Sequence, residues 1–488
     1  MSRPVLVLLL GLNTPDQALS QSMTIQEMEA KLLEMQRQML VLQDEIEILR
    51  GVNTNTDPQL PEQAAPNSGV VLTGDSGPVL ADHADGTAGE SDGFPVAGRE
   101  EILADATISP LGRGEENIDP DFEKSAPLFG SDYRFSIGGY AKTDLIFDFD
   151  GVGDPYQFVL GQIPVADSPP GGSYSQLHIR ESRTHLEIRN VNSPFNLDKF
   201  FLEFDFFDGA ESTNFRLRHA YFQFGQLQAG RTWSILTELR ALPLMLDFAA
   251  GDALLGGRSE QIKWDGNKIF GKLDWAVGLE SYDATRIVIP ESIAGRGIAR
   301  SRTPRLSGGI SYPWDQGVLS VGASVNEVRF DGSDGLEDRS ELGWTTVLGS
   351  RVYLRADQPH FLGFNAGYTK GTLSDIIAFA NAGTPNAALS TEGNLELAEG
   401  WNANVGLHLS LSDKVTSNLH YAYTRMEKTP ELFAPDEMAK GWAAHANLIY
   451  DFDSRFRVGV EYMWGERETV DGSSGDAARL QFSTFYYY

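Results

Sequence analysis

Arginine is the residue type whose spacing in this sequence could do the most chemistry. The stretch LHIRESRTHLEIR carries Arg183 and Arg189, and NFRLRHAYFQFG carries Arg216 and Arg218 two residues apart. Alternate residues of an extended strand share a face, so each pair would project from one side of a sheet. Arginines grouped on the wall of a pore attract and select anions. The sequence therefore predicts an anion-selective wall if these strands enclose a channel.

Neighbouring charges leave a second role open for the same arginines. Glu203 and Asp205 occupy the polar face of the next predicted strand, so cross-strand ion pairs could stiffen the sheet, and both roles are compatible. Arg180 shares a face with Ser182 and Thr184, which are predicted to point outward. The residues predicted to line the pore or contact its solute are Arg183, Arg189, Arg216, Arg218, Arg231, His185 and Glu187.

The segment ILTELRALPLMLDFAAGDALLGGR is unusually apolar and glycine-rich for a connection between strands. Exposed loops are normally more polar, so this one is expected to fold into a lumen and narrow it. Its Asp247 and Asp252 would then oppose the wall arginines, with Arg258 at its end. The alternative is a contact between subunits, for which the shorter loop DGAEST is a weaker candidate.

No catalytic, metal or cofactor motif accompanies these residues. The chain has no cysteine, and it lacks HExxH, Walker A and GxSxG patterns, so neither an enzyme nor a cofactor is predicted. The eight histidines lack metal-ligand spacing, and His178 and His185 would face opposite sides of one strand. A formal net charge of −29 argues against nucleic acid as a partner.

Residues 133–488 alternate polar and apolar side chains in about sixteen segments, three of them predicted at 177–190, 214–224 and 258–265. Links between these segments alternate between tight turns and long loops, which is typical of a transmembrane β-barrel. A soluble β-sandwich would also alternate, but it could not keep arginines and carboxylates on its core face. The sequence predicts an all-β, 16-stranded antiparallel barrel, and sixteen strands leave an aqueous channel.

The first fifty residues contain two different sequence features, a targeting segment and a heptad repeat. Residues 1–20 combine Arg3, a short apolar run and a small-residue cleavage site, as in a signal peptide. Residues 23–50 follow a strict heptad spacing that favours a self-associating coiled coil over a single packed helix. Its a and d positions are Ile25, Met28, Leu32, Met35, Met39, Leu42, Ile46 and Leu49.

Residues 51–132 show no apolar period and are rich in Gly, Pro, Asp, Ser and Ala. They contain 16 acidic and 3 basic residues, and so hold about −13 of the chain's charge. This composition predicts a disordered acidic linker between the coiled coil and the barrel.

Several motifs together resemble the DcaP-like porin family. They are FSIGGYAKTDLIFDF, RESR, LEFDFFDG, RLRHAYFQFG, AGRTWS and PLMLDFAAG…RSEQIKW, in that family's order over roughly 134–265. The resemblance implies a homotrimeric porin in the lipid of the Gram-negative outer membrane, with its coiled coil in the periplasm. It implies small anionic solutes such as dicarboxylates. Arg231, His185 and Glu187 depart from the residues expected at those positions.

The chain ends on RLQFSTFYYY, which alternates Leu480, Phe482, Thr484, Tyr486 and Tyr488 outward. It reads as the closing strand, with the terminal aromatics resembling the signal recognised by the barrel-insertion machinery. The sequence is compatible with two functions: passive diffusion of small anions, or a structural tether that joins the outer membrane to the cell wall through the coiled coil.

Overall fold

The computed structural model describes residues 125–128, 132–165, 172–190, 192–193, 198–208, 213–252, 254–355, 358–390 and 392–488. The predicted signal peptide and coiled coil, nearly all of the linker and most of the DGAEST loop lie outside the described residues. Among the residues described, no helix is long and apolar enough to cross a membrane.

Sixteen antiparallel strands of the described chain form a closed barrel, which confirms the predicted fold class. Each strand pairs with the next, and β16 pairs with β1 from Tyr487 opposite Tyr140 to Arg479 opposite Asp148. The strands are β1 (Tyr133–Asp148), β2 (Tyr174–His178 and Arg183–Asn190), β3 (Asp198–Asp208), β4 (Asn214–Phe224), β5 (Leu227–Trp233), β6 (Arg258–Asp265), β7 (Asp274–Glu280), β8 (Arg305–Trp314), β9 (Gly317–Gly332), β10 (Arg339–Arg355), β11 (Gln358–Lys370), β12 (Glu399–Ser412), β13 (Val415–Lys428), β14 (Met438–Asp451), β15 (Phe456–Thr469) and β16 (Ser474–Tyr487).

The two faces of the barrel wall follow the two-residue period of its strands. On β1, Lys142 and Asp144 are buried inside, whereas Leu145 and Phe147 are exposed on the outer face. The same alternation continues around the barrel, with polar side chains inside and large apolar ones outside. An apolar outer face is stable only against lipid, and closure leaves the wall no unpaired edge.

Strand β2 is interrupted by a β-bulge. Along the pairing with β1, β2 advances five residues from His178 to Arg183 while β1 advances four. The extra residue reverses the alternation, so Arg180 turns inward and is only 3% exposed. His178 and His185 consequently share the inward face, and the prediction that they face opposite sides is wrong.

The described residues of three long connections, 149–173, 234–257 and 371–398, fill part of the lumen. Phe158, Leu160, Leu255 and Phe379 from these loops form an apolar cluster with inward residues of β10 and β13–β16, including Met463. The short elements are the 3₁₀ turns Leu160–Gln162, Leu239–Ala241, Ala250–Asp252, Glu291–Ile293 and Leu373–Asp375, helix α1 (Ile377–Ala382), and the strand segments Ala126–Pro127, Ile287–Val288, Gly297–Ala299, Ala387–Leu389 and Leu395–Leu397.

The chain terminus closes the barrel in a specific way. Tyr488 N–H donates to Gly139 O at 3.2 Å, and the Tyr488 hydroxyl lies 2.6 Å from Thr184 Oγ1 on β2. Beside this contact β1 and β2 approach each other closely at Gly139, where a Cβ would lie 2.2 Å from Arg183 O. The last residue therefore ties three strands together at the seam.

Candidate functional site

Residues 234–257, here called the inner loop, leave β5 and lie flat against the inside of the wall. At Gly363 of β11 a Cβ would lie 1.8 Å from Ala241 O, and at Gly406 of β12 it would lie 2.2 Å from Pro243 Cδ. Glycines of β10 and β15 approach the loop in the same manner: a Cβ would lie 2.3 Å from Glu238 Cγ at Gly349 and 2.7 Å from Leu246 Cδ1 at Gly459. The absence of side chains along this track makes room for the loop.

Buried polar groups fix the inner loop to the wall. Glu461 of β15 accepts a 2.6 Å hydrogen bond from Leu246 N–H. Arg351 of β10 donates from Nε to Arg240 O at 2.5 Å. Arg240 in turn donates from Nε and Nη2 to Glu238, at 2.8 and 2.6 Å. A charged group at each anchor holds the loop more strongly than neutral hydrogen bonds would.

The side of the inner loop that faces away from the wall is mostly apolar. Ala241 and Pro243 pack against the wall and are buried, whereas Arg240, Leu242 and Leu244 alternate with them and are half-buried. This alternation belongs to an extended segment with one face on the wall and the other toward the remaining lumen. Leu242 and Arg240 are half-buried on this side, whereas Leu244 also packs against wall residues that include Ile449 and Phe485.

The arginines of β4 are held by carboxylates of β3. Arg216 donates from Nε and Nη2 to the two oxygens of Asp205, at 2.9 and 2.6 Å. Arg218 donates to Glu203 at 2.5 Å and to Asp205 at 3.0 Å. A register shift between β3 and β4 at Arg218 lets these two arginines reach the same carboxylate, Asp205. The cross-strand pairing that the sequence allowed is therefore present.

In the Arg216–Asp205 pair, the two partners differ in how far they are exposed. The Arg216 side chain is 32% exposed, whereas the Asp205 side chain that binds it is 0% exposed. A solute in the lumen can touch the guanidinium but not the carboxylate behind it. Two of the five guanidinium N–H groups are used by Asp205, so the cation keeps donors for a second anion.

Arg183 continues the basic surface on β2. Its Nη2 lies 3.6 Å from Glu181, and its guanidinium lies 5.5 Å from the centre of the Tyr140 ring. Glu181 also pairs with Lys142 of β1, which donates from Nζ to the inner-loop carbonyl Leu246 O at 2.5 Å. Glu181 in the β2 bulge thus lies between Arg183 and Lys142, and Lys142 contacts the inner loop.

Phe248 is the inner-loop residue that meets the arginines. Its ring stacks on Phe207 of β3 at 4.6 Å between centroids. The guanidinium of Arg216 lies 4.8 Å from the Phe248 ring, and that of Arg218 lies 5.6 Å away. These distances are those of cation–π contacts, so an aromatic face adjoins the accessible arginine.

The remaining predicted residues of β2 line the other half of the strand. Arg189 donates to Glu187 at 2.7 Å, and Lys199 of β3 lies 3.8 Å from the same carboxylate. His185 stacks on Phe201 with 5.6 Å between ring centres. This group lies nearer the end of the barrel that carries the short turns.

Arg231 points out of the barrel, so its assignment to the pore wall is wrong. It lies opposite Ala220 on β4 and Glu260 on β6. Its Nη1 contacts Glu260 Oε1 at 2.7 Å on the outer face, where Ile262 of the same strand is also exposed. The alternation of Leu227 and Ala229 with polar neighbours indicates this orientation.

The inner-loop carboxylates do not oppose the arginines of β2 and β4. Asp247 accepts from Phe158 N–H and Asp252 from Leu160 N–H, both at 2.9 Å, so they hold these two residues of the first long loop instead. Burial raises the pKa of Asp247 to about 6 and that of Asp252 to about 7. Among the described contacts neither carboxylate faces Arg183, Arg216 or Arg218, because both satisfy backbone donors of the first long loop; the wall arginine that interacts with Asp247 is Arg479 of β16.

Arg258 lies beside the arginine wall rather than within it. Its guanidinium stacks 3.6 Å from the centre of the Trp233 ring, and Nε lies 3.1 Å from His219 Nε2. In the part of the chain described, no group of three His, Cys, Asp or Glu residues could hold a metal ion. Sequence reasoning did not single out Phe248, Arg240 or Lys142 as site residues.

Comparison with known proteins places the fold. No protein-family model matches this chain, and no curated protein matches its sequence. The structure is similar to the outer membrane channel DcaP of Acinetobacter baumannii, with 20% identity, a TM-score of 0.61, and 74% of this chain and 99% of that chain covered. The resemblance of the sequence motifs to DcaP-like porins is thus confirmed at the level of the fold.

Two further solved structures match with lower scores. The anion-selective porin from Comamonas acidovorans is 12% identical with a TM-score of 0.47, covering 73% of this chain and all of that one. OmpF of Salmonella typhi is 12% identical with a TM-score of 0.46, covering 74% and 99%. It is the similarity to DcaP that shows the fold of an outer-membrane porin for this chain, and its solutes must be argued from its own lumen.

Proposed function

We propose that this protein is an outer-membrane porin through which small organic anions, including dicarboxylates, diffuse passively past the arginines of β2 and β4. The observation that carries the proposal is the asymmetry of the Arg216–Asp205 pair, in which the cation is 32% exposed and the anion 0%. The electric field that an ion meets at a pore wall depends on which charges it can approach, and not only on the net charge of the wall.

The opposite side of the passage favours solutes with an organic body. Leu242 of the inner loop is half-buried on the side away from the wall, and Phe248 places its ring next to Arg216. A carboxylate could bind the guanidinium while its carbon skeleton contacts these apolar groups. Inorganic anions would use only the first of these contacts, so organic anions should pass preferentially at low concentration.

The N-terminal assignments belong to the same proposal. A cleaved signal peptide at 1–20 would export the chain, and the heptads at 23–50 would join three barrels through a periplasmic coiled coil. The acidic linker at 51–132 would connect the two, and the aromatic C-terminal strand would be read by the insertion machinery.

Bi-ionic recordings in planar bilayers test the solute assignment. With potassium succinate on one side and potassium chloride on the other, we expect a measurable succinate current that falls when Arg183 is changed to Gln. Arg231→Gln is the matched control, because that arginine points outward and should leave the current unchanged. A barrel that conducts chloride but excludes succinate, or one that responds only to Arg231→Gln, contradicts the proposal.

A further inference from the structure

The turn between β6 and β7 holds an aromatic side chain in an unfavourable position. Phe270 has φ +53° and Gly271 has φ +70°, the two successive positive values of a type I′ turn. Lys272 N–H closes this turn on Ile269 O at 3.1 Å. Asn, Asp and Gly normally occupy the first of these positions, because a bulky side chain there is strained.

The strained side chain makes no compensating contact within the barrel. Phe270 is 90% exposed, and Ile269 beside it is also exposed. The tight turn Asp315–Gln316 between β8 and β9 on the same rim is polar, and the β14–β15 turn exposes one aromatic side chain, Phe452, without a positive φ. Strain retained at an exposed apolar residue indicates that another surface covers it.

The direction of the turn favours the membrane as that surface. Trp275 of β7 lies on the outer face, opposite Ile310, and its Nε1 donates to Asn267 O at 2.9 Å. At Gly266 a Cβ would lie 1.8 Å from the Trp275 ring, so the turn starts flush against this lipid-facing tryptophan. Tryptophans on the outer face mark the level of the lipid headgroups.

The charges around Phe270 match a phosphate-bearing leaflet. Lys268 and Lys272 flank it, and no acidic residue lies between 266 and 273. Lys268 lies 3.8 Å from Asp274 and remains 45% exposed, so this surface pair is weak. An aromatic tip between two lysines has the composition of an interfacial anchor on anionic lipid.

We propose that residues 267–273, here called the anchor turn, insert Phe270 into the phospholipid leaflet on the short-turn side, with the two lysines on its phosphates. The inference rests on the membrane location of the barrel and is independent of which solute it conducts. The surface that covers Phe270 is lipid with anionic headgroups, and a protein that covered it instead would contradict the proposal.

The absence of native cysteine allows a single-site test. Phe270→Cys is labelled with an environment-sensitive fluorophore and reconstituted into vesicles of phosphatidylethanolamine and phosphatidylglycerol, with Asp315→Cys as the matched control turn. We expect blue-shifted emission at 270 and several-fold stronger quenching by acyl-chain nitroxide lipids than at 315. Aqueous iodide should quench mainly the control. Equal iodide quenching at both sites would overturn the proposal.

A second pair of variants separates the role of Phe270 from that of the label. Ile269→Cys is labelled in the native background and together with Phe270→Asn, whose asparagine suits the turn better. Nitroxide quenching should fall on removal of the phenyl ring, and should weaken on Lys272→Gln only in anionic vesicles. Unchanged quenching in the Asn variant would mean that the label, not Phe270, enters the lipid.

Discussion

Replacing Arg216 with Gln removes the accessible cation of the site while keeping a polar side chain of similar length. A unit charge 4 Å from an anion contributes about 1 kcal/mol in water, and more where the wall lowers the dielectric constant. Because 1.4 kcal/mol corresponds to a tenfold change in an equilibrium constant, the preference for chloride over potassium should fall about fivefold. A dianion has twice the interaction energy, so the preference for it should fall about thirtyfold. The fold should persist, since Asp205 stays paired with Arg218 at 3.0 Å.

The double variant Arg216→Gln with Asp205→Asn distinguishes accessible charge from net charge. It removes one charge of each sign, so the sum over the site is unchanged. If the buried carboxylate does not reach the lumen, the double variant should lose as much anion preference as the single variant. Reversal potentials in a tenfold KCl gradient measure this, and full recovery in the double variant would refute the reasoning.

Three further changes probe the inner loop and the barrel seam. Gly363→Val should displace the loop, because even a Cβ would lie 1.8 Å from Ala241 O, and single-channel conductance should change without a change of fold by circular dichroism. Asp252 has its pKa raised to about 7 by burial, so its neutral form stabilises the folded state. That contribution is complete below about pH 4 and is lost as the pH rises through 7. The unfolding temperature in detergent should therefore fall from pH 5 to pH 8, and Asp252→Asn should make this fall smaller. Tyr488→Phe removes the hydroxyl 2.6 Å from Thr184 Oγ1 and should lower the free energy of unfolding by about 1 kcal/mol. The purified barrel should then unfold at a lower temperature, and an unchanged temperature would mean that the hydroxyl does not stabilise the seam.

Strand positions could be predicted because each wall residue faces either lipid or the lumen. The predicted segments 214–224 and 258–265 coincide with β4 and β6 to the residue. The same two-residue period failed where a bulge shifts it: the segment predicted at 177–190 is two pieces, and Arg180 turns inward. A bulge adds one residue without changing the local composition, so the sequence alone carries no mark of it.

The site was only partly predictable for two different reasons. Arg231 was misassigned because its charge and motif position outweighed the alternation of Leu227 and Ala229, a signal that was present in the sequence. Phe248 was missed because a loop has no fixed period, and which of its side chains meets the wall depends on distant glycines such as Gly406. Tertiary contacts of that kind cannot be read from local pattern.

The reversal potential of the unmodified, purified protein in a KCl gradient tests the central claim most directly. Its sign reports whether chloride or potassium passes more easily, with no mutation or solute needed. The exposed Arg216 guanidinium and the buried Asp205 carboxylate predict a clear preference for chloride at low ionic strength, weakening as salt screens the site. A preference for potassium would contradict the account.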